Sequence, residues 1–392
     1  MQFVLSFTRD AKDKDTQNPR NPCNPRQSAI QMNMQKKQLT KHYQDFRDAL
    51  LTWFKQYQRE MPWRNTDDPY RIWVSEVMLQ QTQVVKVIDY YEKFITRFPS
   101  VQDLAAAPLQ DVLKVWEGLG YYARARNLHK AAQVIVNELD GEIPLDYATF
   151  RKLPGVGDYS AAAVQSIAFN APYAAVDGNI KRVLARLLLI DAPINDAKSA
   201  KVFQKQADAL LDRDAPGLFN QAVMELGAMV CRPQSPTCLV CPVNAFCEAF
   251  DTMRQDEFPK RRESKPTPEH HLAVGVIYNS ADEVLITQRQ LDGLLGGLWE
   301  FPGGEIVEGE TAEVACVRNI AEVVNLSVKN MRYLTRVRHA FTHFKIVVDV
   351  FQCDYEAGEV VLNGPRDAKW IEIAALQDYP LPRATHKFLD EL

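Results

Sequence analysis

Four of the seven cysteines stand in one short segment, Cys231-x6-Cys238-x2-Cys241-x5-Cys247, while Cys23, Cys316 and Cys353 are scattered. Where thiols are kept reduced, such a cluster reads as a set of metal ligands rather than as disulfides. Four soft thiolates enclose a metal centre without help from elsewhere, and zinc and a 4Fe-4S cluster both accept them. A lone buried cysteine is ordinarily a small apolar filler, but four so close together argue for ligation. The spacing does not choose between the two metals. It does not demand redox chemistry either, because a closed four-ligand site can serve only to hold a loop in shape.

A reducing setting is expected from the rest of the chain. No run of about 18 apolar residues occurs, and Phe3-Val4-Leu5-Ser6-Phe7 is too short for the apolar stretch of a signal peptide. A cytosolic protein that neither spans a membrane nor is secreted is the expectation. The 392 residues, 46% of them apolar and 24% charged, can build packed cores and exceed one ordinary domain. A net charge of -4 argues against coating nucleic acid by bulk charge and leaves room for a local basic groove.

Residues 1–38 are polar and repeat Asn-Pro pairs (Asn18-Pro19, Asn21-Pro22, Asn24-Pro25), so a disordered tail is expected there. From residue 39 to 254, apolar side chains recur at helical spacing (Val84, Ile88, Tyr91, Ile95; Val183, Leu184, Leu187, Leu188) between short Gly/Pro breaks, which predicts an all-α domain. Residues 255–269 turn to proline and charge and read as a linker. From 270 to 392 come short β-type runs (Leu272 to Tyr278, Val284 to Thr287, Ile346 to Phe351) with one helical stretch, Thr311 to Val324, so the C-terminal part is α+β.

Leu153-Pro154-Gly155-Val156-Gly157 reads as a hairpin between helices. Its glycines permit a tight turn, and the following helix offers unpaired N–H groups that suit a phosphate. One Gly-x-Gly would pass for an ordinary turn; a second, Gly118-Leu119-Gly120, opening a helix with Arg124, Arg126 and Lys130, points to a DNA backbone. Glu76 lies in the apolar helical stretch Trp73-Val74-Ser75-Glu76-Val77-Met78-Leu79, where ionisation is costly and the carboxyl becomes a plausible general acid, although a solvent-facing glutamate would read the same way. The polar run Gln80-Gln81-Thr82-Gln83 after it suits base edges. Asp177-Gly178-Asn179 is by itself a helix N-cap. Joined with Glu76 it completes the carboxylate pair that cleavage of a glycosidic bond needs.

Together with Pro62-Trp63-Arg64, Gly118 to Arg124, Val176 to Asn179 and the four cysteines, these segments make residues 43 to about 250 resemble the helix-hairpin-helix DNA glycosylases with an iron-sulfur loop, most closely the MutY-type adenine glycosylases. The resemblance implies a 4Fe-4S cluster on Cys231, Cys238, Cys241 and Cys247, with zinc as the alternative. It also implies excision of adenine facing 8-oxoguanine, or guanine, after the base is flipped out of the duplex. By position, Glu76 matches the acid that protonates adenine N7, Asp177 the carboxylate that stabilises the sugar cation or bonds to it transiently, and Asn179 the residue that orients them. Tyr159 stands where the related glycosylase-lyases carry a Schiff-base lysine, which implies a monofunctional enzyme. Trp63, Arg64, Leu79 and Gln221 match the adenine pocket. Gln81, Thr82, Leu119 and Tyr121, with Pro154, Gly155, Val156 and Gly157, match contacts to DNA and to 8-oxoguanine.

Residues from about 270 on resemble a Nudix fold, with Trp299-Glu300-Phe301-Pro302-Gly303-Gly304 leading to Glu310 and Arg318. The acidic run that would hold Mg2+ is replaced by Arg318-Asn319-Ile320-Ala321-Glu322-Val323, which implies a recognition module rather than a pyrophosphatase. Phe341-Thr342-His343 matches the loop that senses 8-oxoguanine, with Thr where Ser is usual. The resemblance as a whole implies a monomeric, nucleoid-associated DNA repair enzyme of bacterial type, its partner double-stranded DNA.

Overall fold

The computed structural model describes residues 25–64, 66–263 and 266–392, the first sixteen of them by backbone alone. Two compact units divide after Asp48, and everything below concerns the second, Ala49–Leu392, apart from the course of the first helix. That helix, α1 (Pro25–Tyr57), begins well before the expected end of the tail. Residues 25–38 are helical because the Asn-Pro pairs stop at Pro25, which is tolerated in a first turn, and glutamine, methionine and lysine, good helix formers, follow it. The rest of the expected tail, residues 1–24, lies outside the described residues.

The helical domain continues through α2 (Pro69–Leu79), α3 (Val84–Arg97), α4 (Val101–Ala106), α5 (Leu109–Val115), α6 (Ala123–Glu138), α7 (Tyr147–Arg151), α8 (Asp158–Phe169), α9 (Gly178–Leu187), α10 (Ala200–Leu210), α11 (Pro216–Met229) and α12 (Glu248–Asp251). α2 starts sharply: the Asp68 side chain accepts from the N–H groups of Tyr70 and Arg71, and Pro69 opens the helix. Every residue from Ile72 to Met78 is buried. A helix covered on all sides must run through the core, and α2 does so against α8. α11 reaches α8 at Gly217, where an added Cβ would stand 2.4 Å from the Ser166 carbonyl oxygen.

The segment expected as a linker is fastened to the helical domain over its first part. Arg186 donates to the carbonyls of Gln255 and Phe258, Ile194 N–H to that of Lys260, and Phe258 is 2% exposed. The C-terminal domain comprises β1 (Glu269–Tyr278), β2 (Glu283–Gln288), β3 (Trp299–Glu300), β4 (Gly303–Glu305), α13 (Ala312–Val324), β5 (Ser327–Ala340), β6 (Lys345–Ala357) and β7 (Asp367–Glu372). Its sheet runs β3-β2-β1-β6-β5, with β4 also on β1 and β7 also on β2. β1 and β6 are parallel over their length and the other pairs are antiparallel. α13 packs on one face through Ala315, Cys316 and Ile320, and the C-terminal turns cover the other through Leu376, Leu381 and Phe388.

The two domains are docked. Gln110 donates to the Gly297 carbonyl at 3.0 Å and accepts from Trp299 Nε1 at 2.9 Å. Glu117 accepts from Leu381 N–H at 2.7 Å and pairs with His386 at 2.8 Å. Leu298 is fully buried in the core of the helical domain.

Gly217→Ala is expected to cost about 1–3 kcal/mol, because backbone atoms leave no room for the methyl group. Gly178→Ala, with open space around its Cβ position, should change stability by less than about 0.5 kcal/mol. Urea midpoints at unchanged slope read the difference, and equal midpoints would show that the α8–α11 contact relaxes freely.

Candidate active site

The site is a cavity of about 150 Å³ inside the helical domain, walled by the loop before α2, by α2 itself, and by α8, α9 and α11. Trp63, Arg64, Glu76, Leu79, Thr82, Tyr159, Asp177, Asn179 and Gln221 all line it. The sequence assigned Thr82 to the DNA surface. It also lines the cavity, where Arg124 holds the turn after α2 by bonding the carbonyls of Val77, Met78 and Gln80 and the Thr82 hydroxyl.

Glu76 is 6% exposed, on the third turn of α2, and Tyr159 Oη donates to its Oε2 at 2.6 Å. Burial pushes the Glu76 pKa up to about 7; the Tyr159 hydrogen bond pulls it down and the nearby Asp177 charge adds to the rise. Near neutral pH this carboxyl holds or gives up a proton readily. Asp177 caps α9: Oδ1 accepts from Ile180 N–H at 2.7 Å and Oδ2 from Asn179 Nδ2 at 2.9 Å. Burial raises its pKa, against the opposing pull of these hydrogen bonds. The two carboxyl groups share one cavity, Glu76 facing a phenol and Asp177 held by amide donors.

Asn179 is held in turn. Arg182 Nη2 donates to its Oδ1 at 2.9 Å, and Arg182 Nε reaches the Cys231 carbonyl at 2.8 Å. Arg186, one turn on and 3% exposed, is surrounded by the carbonyls of Arg232, Pro233, Gln255 and Phe258, with Nη1 3.4 Å from Cys231 Sγ. A buried guanidinium held by neutral carbonyls calls for negative charge beside it, and these cysteines, ligating a metal as thiolates, would supply it. Cys238, Cys241 and Cys247 each sense Cys231 as a neighbouring charge, and burial pushes Cys241 up to about 12. Burial therefore keeps these thiols protonated on their own, and they become thiolates only where a metal takes the place of their protons. Among the described residues, no three Cys, His, Asp or Glu side chains close to single-ion spacing.

The remaining expected contacts lie outside the cavity. Gln81 is exposed in a left-handed turn at φ 56°, and Tyr121 is half-buried at φ 49° between Gly120 and α6. Leu119 and Val156 are buried, whereas in the α7–α8 turn Gly155 is exposed and Pro154 and Gly157 are half-buried. Gly155 has φ 75°, and its missing Cβ leaves room for Asn127, 2.6 Å from that position. Two of the three basic residues expected to meet phosphate are otherwise engaged: Arg124 binds carbonyls, and Arg126 donates to those of Gly293 and Gly296 in the C-terminal domain. In that domain Thr342 and His343 are exposed, Phe341 stacks on Phe344, and the Thr342 hydroxyl meets the Tyr121 hydroxyl. Arg318 clasps Glu310 at 2.7 Å and Glu322 at 3.0 Å, so the remaining acids of the broken run are tied up in ion pairs.

Arg59, Met61, Met224 and Glu225 also line the cavity and went unread in the sequence. Glu225 lies four residues after Gln221, on the same face of α11, which is the one signal that could have found it.

Family models match two parts of the chain, the HhH-GPD superfamily base excision DNA repair protein over residues 74–208 and the NUDIX domain over residues 273–391. The human adenine DNA glycosylase is 35% identical, over 83% of this chain and 70% of its own length. That of Buchnera aphidicola subsp. Baizongia pistaciae is 32% identical, over 78% of this chain and 84% of its own. Among solved structures, a thermostable thymine-DNA glycosylase superposes with TM-score 0.50 at 30% identity, over 54% of this chain and 98% of that one.

By carboxyl 13C NMR, Glu76 should titrate near pH 7, and Tyr159→Phe should move the midpoint higher, since the phenol donates to the ionised form. An unchanged or lower midpoint contradicts this account of the pair.

Proposed function

The chain belongs to the adenine DNA glycosylases, enzymes of base excision repair, and from that premise we propose how this one works. An adenine paired with 8-oxoguanine, or with guanine, leaves the duplex and enters the cavity around Glu76. Glu76 gives its proton to adenine N7, so the base departs neutral. Asp177, held by Ile180 N–H and Asn179, stabilises the positive sugar that remains, and water completes the hydrolysis. The observation that carries this reading is that Glu76 and Asp177, far apart in sequence, line one cavity in which burial keeps Glu76 protonated up to near neutral pH.

Tyr159 cannot form an imine with the sugar, so base release without strand cleavage is proposed. Pro154, Gly155 and Gly157 are offered to the DNA backbone, and Gln81 and Tyr121 to the stack around the lesion. Phe341, Thr342 and His343 face the 8-oxoguanine strand, the Thr342 hydroxyl serving as donor or acceptor. For the cysteines we propose a 4Fe-4S cluster, which is wider than a zinc site and carries the negative charge that Arg186 calls for. Its contribution is structural: it fixes the 231–247 loop on which Arg182 and Arg186 anchor.

Glu76→Gln should abolish excision from a duplex with 8-oxoguanine opposite adenine while leaving lesion binding largely intact. The wild-type single-turnover rate should fall as pH rises through about 7, because the acid form of Glu76 is then lost. Near-normal excision by the variant refutes the acid role, and A·T and G·A duplexes measured alongside read the specificity. The anaerobically purified protein should be brown, with iron and sulfide in equal amounts; a colourless protein containing zinc overturns the cluster assignment.

A further inference from the structure

One carboxylate on the cavity wall takes no part in the proton transfer. Glu225, on α11, is 2% exposed. Its Oε1 accepts from Arg59 N–H at 2.9 Å and Arg59 Nε at 2.8 Å, and its Oε2 from Arg59 Nη2 at 2.7 Å and Arg64 Nη2 at 3.0 Å. A longer contact joins Arg64 Nη1 to Oε1 at 3.3 Å. Burial works to raise its pKa, but the hydrogen bonds from Arg59 and Arg64 prevail and hold it down at about 2. Arg64 also donates to the Arg59 carbonyl at 2.6 Å and lies over the Phe54 ring. One anion thus gathers two guanidiniums and a backbone N–H from the segment that carries Trp63.

We propose that Glu225 is a positioning residue of the base pocket: by bridging Arg59 and Arg64 it fixes the segment before α2 as a wall, and so sets where Trp63 and Arg64 meet the extruded base. This rests on the reading of the cavity as the adenine pocket. Without the carboxylate, two like charges stand side by side and push the segment away from α11. A base held by a displaced wall loses the aligned geometry on which rate depends, and misplacement by an ångström costs about 100-fold. Affinity for duplex comes mainly from phosphate contacts elsewhere and should be spared.

The test uses full-length protein with wild-type metal content, carrying Glu225→Gln or Glu225→Asp. The Gln variant should slow single-turnover excision about 10- to 100-fold and leave the duplex Kd within about 3-fold at fixed salt. Hydrogen exchange should speed up at residues 59–64 and not in α2. The Asp variant keeps the charge and should recover part of the rate. Wild-type excision and exchange in a folded Gln variant overturn the proposal, as does a parallel loss of duplex affinity. If the Gln variant does not fold, wild-type rate and exchange in the Asp variant overturn it instead. A wild-type protein that releases no adenine sinks the glycosylase reading, and exchange at 59–64 still decides the bridge.

Discussion

Two buried arginines on one helix organise the catalytic half of the molecule. Arg182 and Arg186 both project from α9 into places where water cannot solvate them, so every donor must find an oxygen or a sulfur. Arg182 satisfies itself between Asn179 and the Cys231 carbonyl, and Arg186 within the loop of the cysteines. Asp177, which caps the same helix, is thereby tied through Asn179 and Arg182 to the start of the cysteine loop. Whatever fixes the shape of this loop therefore also bears on where the carboxylate sits.

The cavity also shows how environment, rather than residue type, assigns chemistry. Glu76 and Glu225 line the same space, one near a pKa of 7 and the other near 2. Glu76 meets a phenol and a like charge in an apolar helix; Glu225 meets two guanidiniums. The first can carry a proton at neutral pH, and the second is an anion there.

Much of this was legible in the chain. Glu76 and Asp177 were singled out by the family resemblance of the motifs around them, since alone one reads as a solvent-facing glutamate and the other as a helix N-cap, and the α7–α8 turn was marked by its glycines. Glu225 was not, because a glutamate in a helix looks the same whether it faces water or two arginines 161 and 166 positions away. For the same reason Arg124 and Arg126 read as a phosphate-binding face: sequence reports their charge, and only packing reveals the carbonyls that use it. β5 was unreadable for another cause. It is mostly exposed along its length, with three register shifts against β6, so no clean alternation marks it. The start of α1 was hidden by a compositional cue, the Asn-Pro pairs, the last of which supplies the helix's first residue, Pro25.

The seam at Gln110, Glu117 and Leu298 has a thermodynamic meaning for recognition. On the proposed reading, in which both halves contact DNA, their relative orientation is set on folding rather than on binding, so a duplex meets both as one object. Once one half has engaged the helix, the other faces it at an effective concentration set by the fold rather than by diffusion.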